Sequence, residues 1–311
     1  LCQSNSLQMI AAQRGIEEPR CHFDFLMGFT YGATQTPGGL GFFPGTDPEV
    51  GFVVAAPYLG LNRRFYVSDD GELYLCALRA YLSQGYPVRV GLDMSTLYDL
   101  EEALPHSIVL VGYDQDGFTY YETVCLPEVP CEPGQRPAGD QGLYVSDEKL
   151  LDAVQSQAEV FEYPWQYSLS IFEQAPLADD LGPVWRRNGQ ALVGGAKYGP
   201  RQGADVVDNL AVAIEKRGQK LDVSRIRPGL EMAAYVRWEN ALYLRKAFPG
   251  EPDLEQACCL FMSASSSYQS VLEALQDDIS NQIMAQQMAV LLHSAAAAER
   301  DAGKLLLQRS E

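Results

Sequence analysis

Pro105-His106-Ser107-Ile108-Val109-Leu110-Val111-Gly112-Tyr113-Asp114-Gln115-Asp116-Gly117-Phe118-Thr119-Tyr120-Tyr121-Glu122 reads as a β-hairpin with a histidine at its entrance and a glutamate near its exit. Ser107 to Tyr113 is apolar enough for a central strand, Asp114 to Gly117 is a turn, and Phe118 to Val124 returns with aromatic and β-branched residues. Side chains alternate faces along a strand, so the loop length decides whether positions 106 and 122 meet. A three-residue loop with Gly117 at positive φ puts them on one face, whereas a two- or four-residue loop separates them.

Working outward, Val88 to Leu92 is a further strand, and Leu143 to Val145 is a short one before a helix starting near Ser146. Leu73 to Ser83 and a stretch from Ser4 to about Arg14 carry helical periodicity. Gly32 to Pro48 is a Gly/Pro-rich binding loop or mobile segment, near two Gly-Phe pairs, Gly28-Phe29 and Gly41-Phe42. From about Asp205 the strand signals stop. Leu210–Ile214, Leu230–Phe248, Leu254–Leu275 and Ile279–Leu307 are helical, the last helped by the tract Ala295 to Ala298. The predicted class is α+β: an antiparallel-sheet domain over 1–175, a Pro/Gly-rich linker over 176–203 and a helical domain over 204–311, with no internal repeat.

Composition narrows the function. The chain has 311 residues, 47% of them hydrophobic, which supplies a real core and excludes disorder as the main state. A net charge of −18 argues against a nucleic-acid partner. No run approaches the roughly 18 apolar residues of a membrane span, so no membrane partner is expected. Seven irregularly spaced cysteines fit reduced thiols in a cytoplasmic protein. The chain opens at Leu1 and not at methionine, which is compatible with a removed targeting peptide.

The three histidines can be weighed singly. His293 lies in a helical apolar stretch and reads as an ordinary helix residue. Cys21-His22 offers too few ligands for a metal, and Cys125 and Cys131 have no second pair to complete a zinc site, so no metal is expected. Cys258-Cys259 read as core. His106, at the mouth of a central strand, is held rigidly. Cys2 stands just before a helix whose positive end favours thiolate, and an imidazole beside it would lower its pKa further and shuttle its proton. Glu122 is the carboxylate that would orient that imidazole. Each also has a plainer reading: a strand-end histidine satisfied by water, a small residue at a chain end, a solvated strand glutamate.

At these places the sequence resembles the papain-like C39 peptidase superfamily, and within it the butirosin biosynthesis protein H family. The resemblance is carried in order by Cys2-Gln3-Ser4-Asn5-Ser6-Leu7, Leu26-Met27-Gly28-Phe29, Leu40-Gly41-Phe42-Phe43, Gly85-Tyr86-Pro87-Val88-Arg89-Val90-Gly91-Leu92-Asp93, Pro105 to Asp114, and Tyr120-Tyr121-Glu122. It implies a papain-like domain followed by a helical region, with Cys2, His106 and Glu122 as catalytic residues and Gln3, Asp93 and Tyr113 as substrate-binding or oxyanion candidates. Two features depart from the pattern. Glutamate stands where aspartate is usual, and only Leu1 precedes the cysteine where an oxyanion glutamine often lies.

The implied activity is acyl transfer from a carrier protein's phosphopantetheine thioester, through an acyl-Cys2 intermediate, to an amine of a small-molecule or natural-product acceptor. No cofactor is expected beyond the carrier's own arm. Residues 185 to 227 hold nine basic side chains against four acidic ones. Arg186, Arg187, Lys197 and Arg201 would dock an acidic acyl carrier protein, or else form a solvated face. The alternatives are a cysteine hydrolase (peptidase, amidase or thioesterase) and a non-catalytic binding protein. An N-terminal-nucleophile hydrolase is disfavoured, because it would need no His106. The apolar C-terminal helices could pair in a homodimer.

Overall fold

The computed structural model describes residues 1–35, 41–101, 103–123, 142–160, 162–194, 202–217, 223–275 and 282–310. In chain order the elements are α1 (Cys2–Ala12), α2 (Arg20–Met27), β1 (Thr34–Gln35), β2 (Phe42–Phe43), α3 (Pro48–Ala55), β3 (Leu61–Ser68), α4 (Gly71–Ser83), β4 (Val88–Asp93), α5 (Met94–Tyr98), β5 (Pro105–Tyr113), β6 (Gly117–Tyr121), β7 (Leu143–Ser146), α6 (Asp147–Val160), β8 (Tyr167–Gln174), α7 (Gly182–Val193), α8 (Ala204–Arg217), α9 (Val223–Ala247), α10 (Pro252–Ala274) and α11 (Gln282–Gln308). The class is α+β, as expected. Among the described residues no helix is long and apolar enough to cross a membrane, and Cys2, Cys21, Cys76, Cys258 and Cys259 form no disulfide. Cys125 and Cys131 lie outside the described residues.

The first compact unit comprises Leu1–Phe23 and Ala56–Ala178. Its antiparallel sheet has six strands in the order β3-β8-β4-β5-β6-β7. Val88, Val90 and Leu92 of β4 join Ile108 and Leu110 of β5 and Phe118 and Tyr120 of β6 in one apolar layer. Tyr74, Leu75 and Leu78 of α4 and Leu150, Ala153 and Val154 of α6 cover it. Asp70 starts α4 by accepting the Leu73 N–H at 3.0 Å. β8, between β3 and β4, is a strand the sequence reading did not foresee.

The hairpin brings positions 106 and 122 together by a different route from the one expected. Asp114 pairs with Gly117, its N–H donating to the Gly117 carbonyl at 3.0 Å, so only Gln115 and Asp116 form the loop. Gly117 is a strand residue and is not among the positive-φ glycines. The Asp114 carboxylate instead closes the turn, taking the N–H groups of Asp116 and Gly117 at 2.9 Å each. A two-residue loop alone would put 106 and 122 on opposite faces. The pairing slips by one residue between Leu110 and Gly112, from Tyr113↔Phe118 and Gly112↔Thr119 to Leu110↔Tyr120 and Val109↔Tyr121. Val111 is the extra residue of this bulge, and it reverses the parity again.

The second unit comprises Asp24–Ala55 and Asp179–Glu311. Leu210, Ala211 and Ile214 of α8, Leu230 and Ala233 of α9, Tyr268 and Val271 of α10, and Met288, Leu292, Ala295 and Ala296 of α11 form its core. Two glycines let α7 and α11 cross closely: a Cβ on Gly189 would lie 2.7 Å from the Gly303 carbonyl oxygen. This unit departs from the expected boundaries in two ways. The proposed linker contains α7, whose Gly182-Pro183 and Gly194 (φ 74) punctuate a helix at its start and end. Residues 24–55 belong here and not with the sheet. Arg187 reaches the Met27 carbonyl at 2.5 Å and the Asp47 carbonyl at 2.8 Å, and Asn188 reaches the Phe25 carbonyl at 3.0 Å. Within the expected Gly/Pro loop, β1 and β2 pair, while residues 36–40 lie outside the described residues.

Candidate active site

α1 begins at Cys2 itself, two residues earlier than its periodicity suggests, so the thiol stands in the first turn. The N–H groups there have no acceptors within the helix, and the first such bond runs from Asn5 back to Leu1. A thiolate at this end is stabilised by the helix dipole. α1 is fixed to the hairpin by polar contacts. Ser6 Oγ lies 2.8 Å from Ser107 Oγ, and Asn5 Nδ2 donates to the Thr123 carbonyl at 2.5 Å. Thr123 Oγ1 in turn donates to the Ser107 carbonyl at 2.6 Å.

The structure brings the three expected residues together. His106, 2% exposed, places Nε2 2.5 Å from Glu122 Oε1, and the Cys2 thiol lies near enough to its ring for each to shift the other's pKa. With Nε2 committed to Glu122, Nδ1 is the nitrogen left to face sulfur. Burial disfavours the imidazolium, but the hydrogen bonds and charges of Cys2 and Glu122 outweigh it and push His106 up to about 9. For Cys2, burial acts to raise the pKa, and the His106 hydrogen bond, the His106 charge and Arg89 overcome it, so the thiol sits below its ordinary value. Burial likewise acts to raise Glu122, and His106, Tyr98 and the Thr123 N–H hold it below the usual carboxylate range. Each group shifts the other, so Cys2 and His106 titrate as a coupled unit.

Two neighbours escaped the sequence reading. Arg89, 3% exposed, donates from Nη2 to Gln3 Oε1 at 2.7 Å and from Nε to Ser107 Oγ at 3.0 Å. It looked like one residue of a strand motif. Alternation with apolar Val88 and Val90 puts it on the opposite face of β4, the face that also carries Ser107 of β5. Tyr98 donates to Glu122 Oε2 at 2.5 Å, and nothing in its local sequence marks it.

The other candidates have different places. Gln3 is buried and its carbonyl oxygen is held by Arg89. Tyr113 is exposed at the far end of β5, roughly 23 Å from His106 at about 3.3 Å per strand residue; it has no part in the site. Asp93 is a structural clamp. Its Oδ1 accepts from the N–H groups of Ser95 (3.0 Å) and Leu104 (2.9 Å), and its Oδ2 from Ser95 Oγ (2.7 Å) and Ser156 Oγ (2.8 Å). It therefore starts α5, the helix that ends in Tyr98. Asp93→Ala is expected to cost about 2–4 kcal/mol in urea unfolding, because the cap of α5 is lost together with the hydrogen bonds from Leu104 and Ser156 to a buried carboxylate. Burial acts to raise the Asp93 pKa, but these donors outweigh it and hold the pKa low. Its stabilisation is therefore present above the ordinary aspartate range and fades as pH falls below it, so the gap between variant and native protein narrows in acid.

Of the docking residues, Arg187 is buried and spends its guanidinium on carbonyls of its own unit, so it is no docking group. Arg186 is exposed, and Lys197 and Arg201 lie outside the described residues. His22 lies in α2, and His293 pairs with Asp208 at 2.8 Å. Among the described residues no three His, Cys, Asp or Glu side chains group as metal ligands. The chain matches no family model and no curated protein.

Proposed function

We propose that this protein is a cysteine-dependent acyltransferase of papain-like character that moves an acyl group from a thioester, through Cys2, to an amine. The observation that carries the reading is one imidazole with a thiol from a helix N-terminus beside it and a buried carboxylate hydrogen-bonded to it. The Cys2 thiolate adds to the thioester carbonyl carbon. The donor's sulfur leaves, taking the proton from the His106 imidazolium, and the acyl group remains on Cys2. An amine then adds to the acyl-Cys2 carbonyl, neutral His106 takes the amine proton, and the Cys2 thiolate leaves. The resemblance to the butirosin biosynthesis protein H family favours an amine over water as acceptor and a phosphopantetheinyl carrier as donor.

Incubation with carrier-bound and simple acyl thioesters is expected to add the mass of one acyl group to the intact chain and none to a Cys2→Ala variant. Added amines should discharge it as amides. Discharge as the free acid at the same rate with or without amine would make the protein a hydrolase. No loading from any donor, with slow alkylation of Cys2, would leave a non-catalytic binder.

A further inference from the structure

We propose that Tyr98, with Tyr120 behind it, is a positioning residue of this site: the two hydroxyls form a directed donor chain that keeps Glu122 a charged acceptor for His106. The proposal rests on Cys2 being the nucleophile. Glu122 is 1% exposed, and a buried carboxylate stays ionised only by collecting donors. Oε1 takes His106 Nε2 at 2.5 Å and the Thr123 N–H at 2.6 Å. Oε2 takes Tyr98 Oη at 2.5 Å.

The direction of the chain follows from counting protons. An ionised carboxylate has none to give, so the Tyr98 hydroxyl donates. Having spent its one proton on Glu122, Tyr98 can only accept across the 2.9 Å contact with Tyr120 Oη. The order is therefore Tyr120 to Tyr98 to Glu122. The fold holds both donors rigidly: Tyr98 ends the helix clamped by Asp93, and Tyr120 lies in the core layer of β6. Burial, with the Glu122 charge, raises Tyr98 well above the ordinary tyrosine range and Tyr120 to about 12, so neither hydroxyl ionises while the pair works.

The test is the rate of Cys2 alkylation by iodoacetamide on the full chain, followed by intact mass from about pH 4 to about pH 10. In Tyr98→Phe, Oε2 loses the Tyr98 hydroxyl and the carboxylate grips His106 less firmly. The pH at which the imidazolium is lost is expected to fall by about one unit, a tenfold loss in proton affinity. Tyr120→Phe should move it the same way by less, and Tyr113→Phe, remote from the site, not at all. Profiles of both variants that overlay the native curve would overturn the proposal, even if rates or melting temperatures drop. If Tyr98→Phe does not fold, Tyr120→Phe decides, since it leaves the Tyr98 hydroxyl in place. Native Cys2 that alkylates no faster than a free thiol and takes no acyl group would sink the nucleophile reading as well. A fast native Cys2 with unshifted variants sinks only the tyrosine chain.

Discussion

A His106→Asn variant is expected to lose about 10³–10⁴-fold in acyl transfer and to alkylate slowly at Cys2 near neutral pH. The two losses share a cause. Burial alone pushes the Cys2 thiol up, and the His106 hydrogen bond and charge are the main opposing influences. Without them the fraction present as thiolate falls, and no group remains to protonate the leaving sulfur or to take the amine proton. Asparagine keeps a polar group beside Glu122, so collapse of the pocket is not the expected reason. The stability profile separates the two explanations. His106 is raised to about 9 in the folded protein, against an ordinary value near 6.5. The stabilisation from its charged form is complete below about 6.5 and is lost as pH rises through about 9. Urea midpoints of the native protein and the variant should therefore differ most below neutrality and converge in alkali. A constant difference at every pH would point to a packing defect and away from the ion pair.

The chemistry of this site was more legible than its geometry. Cys2 and His106 stood out because thiols near a helix start and histidines at a strand mouth are rare in a chain with three histidines. Glu122 was found by parity, yet the device that delivers the parity was not. A bulge at Val111 leaves no residue-type signature, because Val111 sits inside an unbroken apolar run. The expected glycine turn is replaced by Asp114, whose side chain does the work of a positive-φ residue. Tyr98 was invisible for a related reason: its partner is 24 residues away, across α5 and two strands. The strand β8 was missed although Tyr167, Leu169 and Ile171 alternate with Ser168 and Ser170. Ser170 is in fact fully buried and takes both Nε and Nη2 of Arg63 at 3.0 and 2.9 Å. In the second unit α7 was hidden in a stretch rich in Pro and Gly, whereas α8 to α11 were legible by period. What attaches to them was not, because contacts such as Arg187 to Met27 span long sequence separations.

The largest stability effect is expected from a pair that sequence periodicity would place among ordinary helix charges. Arg237 of α9 and Glu299 of α11 are both fully buried, with Arg237 Nε 2.6 Å from Glu299 Oε1. Arg237 also donates from Nη1 to the Thr30 carbonyl and from Nη2 to the Gly32 carbonyl, the latter at 3.0 Å. Tyr268 Oη donates to Glu299 Oε1 at 2.7 Å, while Glu299 Oε2 has no hydrogen-bond partner. Removing one charge strands the other in a low dielectric, so Glu299→Ala should cost about 3–5 kcal/mol in urea unfolding followed by the helical circular dichroism. Arg237→Met should cost at least as much. It leaves a buried carboxylate whose remaining donor is Tyr268, and it also strips the guanidinium donors from the carbonyls of residues 30 and 32. The double variant Arg237→Met/Glu299→Leu discriminates between the two roles. If the pair matters only as charge balancing charge, replacing both restores most of the loss. The two carbonyl contacts predict only partial recovery, because the chain at Thr30–Gly32 still lacks its donors. Full recovery would show that Arg237 serves Glu299 alone. Partial recovery would show that it also holds the 24–55 segment in the helical unit, which no reading of α9 by itself could reveal.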